Sequence, residues 1–140
     1  MTDATESAAL RRRHLAFGWG SLLVFAALGG ALEAMHGFKV DWYLAVGNET
    51  QRLLWRLAHA HGTFLSLVHV AFGLTLAHTA RLPRLASPCL LGASVALPGG
   101  FLLGAFGVRG GDPGLGIALV PLGLALLLVA IGSTLRALRG

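Results

Sequence analysis

Residues 115–135 read LGIALVPLGLALLLVAIGSTL, an apolar run without one ionisable side chain. A run of ~20 such residues makes ~30 Å of helix, the thickness of a bilayer's hydrocarbon core. No water completes a backbone hydrogen bond in that core, so a single segment that crosses it must be a helix that closes its own bonds. Three further runs precede this one, at about Leu15–His36, Leu53–Thr79 and Pro88–Val108. The expected fold is an all-α integral membrane bundle of four transmembrane helices, forming a single domain over residues 1–140.

Composition agrees. Hydrophobic residues make up 55% of the chain and charged residues 12%, about half the charged share of an ordinary soluble domain. A soluble chain of 140 residues could not bury that much apolar surface, whereas a bilayer sets no such limit. The net charge of +5 does not mark a nucleic-acid binder, because the basic residues form short clusters between apolar runs. Cys89 is the only cysteine, which excludes an intramolecular disulfide, a cysteine-based zinc site and a thiolate-held iron–sulfur cluster.

Those basic clusters fix the expected topology. One side of the four spans carries Arg11, Arg12, Arg13, Arg81, Arg84, Arg136 and Arg139. The other carries Lys39, Arg52, Arg56 and Arg109, offset by Glu33, Asp41, Glu49 and Asp112. Seven against four places the first side in the cytoplasm, with both termini inside. Residues 1–14 then read as a disordered cytoplasmic tail and residues 37–52 as the one sizeable outer loop, with a short surface helix. Arginine far exceeds lysine, and Ala, Leu and Gly abound, a bias of GC-rich bacterial genomes; the expected location is a bacterial cytoplasmic membrane.

Function has to be read from polar residues inside the spans, since intramembrane ionisable groups are costly and mark functional sites. Glu33 and His36 close the first span and share a helix face; Trp55, Arg56, His59 and His61 open the antiparallel second span. These residues fall at one end of the bundle. His59 and His61 diverge by ~200°, so at most one joins Glu33 and His36. A carboxylate with imidazoles can bind zinc, copper or iron, and a histidine pair across two helices can hold a haem. The candidate metal ligands are therefore Glu33, His36, His59 and His61, with His69, near the span centre, joining them as a candidate cofactor-binding residue. The competing structural reading pairs Glu33 with Arg56 or Arg52 and bonds His69 to Ser66 or Thr75. His14 and His78 are expected to be solvated. On the third span, Gly92, Ala96, Gly100 and Gly104 form a small-residue stripe that lets backbones approach, against either a partner protein or a neighbouring span.

The run His59-Ala60-His61-Gly62 at the opening of a helix resembles a stretch of the catalytic subunit of haem–copper oxidases and their small relatives. That resemblance, over about fifteen residues, implies a histidine that ligates a haem between the first two helices. The family's other histidine-bearing helices have no counterpart here, so an oxidase is excluded. Three functions are in view: a non-catalytic subunit of a larger membrane assembly, a redox or metal-binding protein with haem or a metal ion at the outer end, and a lipid- or isoprenoid-acting membrane enzyme. The last is weakest, since no nucleophile is paired with a base. The expected partners are the lipid bilayer and other membrane subunits or a second copy of the chain, not nucleic acid.

Overall fold

The computed structural model describes residues 2–79 and 82–139, with side chains from Thr5 onward. It is all-helical, with no strand among the described residues. The elements are α1 (Thr2–Gly37), the short α2 (Asp41–Leu44), α3 (Glu49–Thr75), α4 (Ala86–Phe106) and α5 (Leu119–Leu138). Single 3-10 turns occupy Val46–Asn48, Leu76–His78 and Leu115–Ala118. Four helical stretches are long and apolar enough to cross a membrane: Thr5–Gly37, Val46–His78, Ala86–Phe106 and Leu115–Leu138.

One expectation fails at the N-terminus. The stretch read as a disordered tail is helical from Thr2, continuous with α1. Its Ala, Glu, Leu and Arg residues are strong helix formers, and they extend a helix already nucleated by the apolar run behind them. Glu6 also reaches Arg84 of the α3–α4 connection at 3.5 Å. At 36 residues α1 is ~54 Å long, well beyond the ~30 Å of a hydrocarbon core.

The spans pack as a row in chain order: α1 on α3, α3 on α4, α4 on α5, each pair antiparallel. Burial follows this order. The most apolar window is 56% buried in α4 and 39% in α3, but only 17% in α1 and 11% in α5. The core is thus the α3–α4 contact, built from Leu54, Ala58, Leu65 and Phe72 against Leu90, Leu97, Phe101 and Ala105.

Glycine sets the other two contacts. On the α1–α3 seam, Gly18 and Gly29 stand about three turns apart on one helix, as do Gly62 and Gly73 on the other. A Cβ at Gly29 would overlap the His59 ring, and one at Gly62 the Phe25 ring. On the α4–α5 seam the stripe faces inward. A Cβ at Gly100 would stand 3.1 Å from Val120 N, one at Gly92 3.0 Å from Leu126 Cδ1, and one at Gly104 3.4 Å from Ile117 N. Gly123 answers from α5, where a Cβ would stand 2.8 Å from Leu97 N. Gly92, Ala96 and Gly100 therefore accommodate α5, and Gly104 the turn that leads into it, so this stripe is not a free docking face.

Candidate functional site: two polar clusters on the first helical seam

Polar side chains gather at two levels along α1–α3. The first lies toward the end that bears both termini and the 79–85 connection. There His14 Nδ1 and His69 Nδ1 are 2.7 Å apart, with both rings fully buried. His14 Nε2 lies 2.8 Å from Ser87 Oγ, and His69 Nε2 2.9 Å from Ser94 Oγ. Phe72 packs edge-on against His14, and Phe17 covers His69.

The bonding order follows from counting hydrogens. Ser94 donates its single hydrogen to the Leu90 carbonyl, so it accepts from His69 Nε2–H. With neutral rings, His69 Nδ1 is then a lone pair that accepts His14 Nδ1–H, and His14 Nε2 accepts Ser87 Oγ–H. Every buried polar atom of this cluster is partnered, and α1, α3 and α4 are tied together by one chain. His14 is thus not solvated, contrary to the sequence reading, because α1 stays helical through Arg13 and turns His14 onto α3. His78 is exposed. His69 uses neither Ser66 nor Thr75: Ser66 bonds Ser21 and the Gly62 carbonyl, and Thr75 its own Ala71 carbonyl.

The second level lies at the opposite end, where Glu33, His36, Arg56, His59 and Thr63 line one groove of about 660 Å³ with Ala26, Gly29, Gly30 and Leu32. His59 Nδ1 donates to the Phe25 carbonyl at 2.8 Å, across the gap that Gly29 leaves open. Arg56 donates to His36 Nδ1 at 3.3 Å. Arg56 thus takes His36 rather than Glu33, and Arg52 bonds the Tyr43 carbonyl, so neither expected partner pairs with Glu33. The sole ion pair among the described residues is Glu6–Arg84.

His61 turns away from this groove. It donates Nδ1–H to its own Leu57 carbonyl and packs on Phe101, in an apolar groove with Phe64, Leu97, Val120 and Leu124. The five candidates thus divide: Glu33, His36 and His59 share the groove, while His61 and His69 lie apart from it and from each other. Among the described residues no group of three or more His, Cys, Asp or Glu could hold a metal ion. Sequence reading missed Ser87, Ser94, Ser21 and Thr63, since lone hydroxyls in apolar helices carry no pattern until their neighbours are known.

What fold and site define together is an all-helical chain with four helices of membrane-spanning length and two polar clusters on one seam. No protein-family model, curated protein or solved structure matches it.

Proposed function

We propose that the chain is a four-span membrane protein with both termini in the cytoplasm, serving as a non-catalytic module of a larger assembly in a bacterial cytoplasmic membrane. The observation that carries this reading is the open row of helices. α1 packs lengthwise on α3 alone, meeting α4 through the His14–Ser87 bond, and α5 packs lengthwise on α4 alone; both expose long apolar faces, which on α5 include Leu122, Leu124, Leu128 and Leu135. Between apolar helices in lipid, association comes from close packing, and an open row leaves two flanks for it. Extraction in native lipid discs followed by intact mass measurement tests the reading. The expected result is this chain in fixed stoichiometry with further subunits or copies; a lone chain with lipid would refute it.

A redox or metal-binding role remains the second reading. It is favoured by His59, which keeps one ring nitrogen unbonded in a groove shared with Glu33 and His36. A histidine that ligates a metal commonly donates its other N–H to a carbonyl, as His59 does. A visible spectrum and metal analysis of the purified protein decide it: a Soret band or stoichiometric metal is the expected signature, and a colourless, metal-free protein excludes it.

A further inference from the structure

We propose that the α1–α3 groove binds the hydroxyl group of a membrane-soluble amphiphile, held between His59 Nε2 and Thr63 Oγ1. The proposal rests on reading the chain as membrane-spanning and replaces a metal with an organic ligand at the same nitrogen. A carbonyl only accepts, so the bond to Phe25 puts the hydrogen of a neutral His59 on Nδ1 and leaves a lone pair on Nε2. Gly29 holds the ring against α1, where any Cβ would displace it.

Thr63 stands one turn on from His59, on the same helix face, and lines the same groove. Its hydroxyl oxygen is buried without a partner. Tyr43, outside the spans, has the only other such hydroxyl among the described residues; within the spans Ser21, Ser66, Thr75, Ser94 and Thr134 each donate to the carbonyl four residues back. Buried polar atoms are seldom left unpaired, so an orphan at a groove wall points to a ligand. The two groups demand complementary things, since Nε2 needs a donor and the Thr63 O–H needs an acceptor. One ligand hydroxyl supplies both. A metal ion would use Nε2 and leave Thr63 orphaned, and a bare carbonyl would do the reverse. His61 is a useful contrast: it has the same unbonded Nε2, but its groove offers no second polar group. The remaining wall, Ala26, Gly29, Gly30 and Leu32, suits a flat ring or an isoprenoid chain, while the exposed Glu33, His36 and Arg56 line the polar mouth.

Two sources share this chemistry, a phenolic quinol and an aliphatic isoprenoid alcohol. Calorimetric titration of the full chain, in nanodiscs and in detergent micelles, with a short-chain benzoquinol kept reduced, its dimethyl ether and farnesol separates them. The micelle arm reports on the groove even if the chain does not cross a bilayer. The expected result is that at least one hydroxyl probe binds about tenfold more tightly than the ether, the scale of a hydrogen bond to a buried group. His59→Phe and Thr63→Val should each weaken that probe about tenfold, and Thr63→Ser should restore it. Preference for the quinol assigns the phenolic source, and preference for farnesol the aliphatic one. Ether binding as tight as that of both hydroxyl probes, absence of binding by both hydroxyl probes to protein with wild-type helicity, or a Soret band in the purified chain would each overturn the proposal.

Discussion

His14 shows what a single residue's position can hide. By sequence it follows three arginines and looks solvent-facing; in the fold it is buried and bonded through both ring nitrogens. The difference is measurable. A solvated His14 would tolerate alanine within about 0.5 kcal/mol. A buried one leaves Ser87 and His69 each without a partner, at about 1–3 kcal/mol per orphaned group. His14→Ala and His69→Ala are therefore both expected to lower thermal stability clearly. The double variant should lose less than the two single losses combined, since the shared bond is removed once. Additive losses would show that the two rings do not depend on each other. The groove at the end opposite the termini was more legible from sequence than this cluster. Glu33, His36 and His59 could be brought to one level by counting along antiparallel helices, but partners on α4, such as Ser94, required knowing which face α4 turns to α3.

At the scale of elements, the helices were legible because each apolar run is long enough to leave no alternative in lipid. Their ends were not. α1 extends to Thr2 and α5 to Leu138, because helix-forming polar residues continue a helix without any change in hydropathy to announce it. The stripe on α4 was visible as a pattern, but its occupant was not: small residues permit close approach without naming the neighbour. With α5 as occupant, Gly100→Leu must push Val120 and Leu119 away, whereas Gly99, with nothing within 4 Å of its Cβ position, has room. We expect Gly100→Leu to destabilise by about 1–3 kcal/mol or more, the scale of overpacking, and Gly99→Leu to change stability little. Gly62→Leu should destabilise as well, because its side chain would enter the Phe25 ring. Equal thermal stability of the Gly99 and Gly100 variants would show that α5 does not rest on this stripe.

For the whole molecule, the open row sets four helices of membrane-spanning length antiparallel in turn, so both termini lie at the same end; under the proposed membrane reading, charge is expected to decide which side that end faces. Basic residues near the ends of spans resist translocation and orient a multi-pass chain. Counted along the sequence, Arg11, Arg12, Arg13, Arg81, Arg84, Arg136 and Arg139 are expected on the termini-bearing side, against Lys39, Arg52, Arg56 and Arg109 on the other. Reporter fusions after Arg139 and at Pro83 should therefore read cytoplasm, and one at Val46 exterior. The bias is also small enough to break. Replacing Arg11, Arg12 and Arg13 by glutamine leaves four basic residues on the termini-bearing side, Arg81, Arg84, Arg136 and Arg139, against four on the other. Glutamine keeps helix propensity close to that of arginine, so the first turns of α1 should survive the change. All three side chains are exposed, so the variant should remain about as stable as wild type. What should change is orientation: the balanced chain is expected to insert both ways, with each fusion reporting a mixture of sides. A triple variant that still inserts one way would mean that something other than these arginines, such as the length and hydropathy of the individual spans, sets the topology.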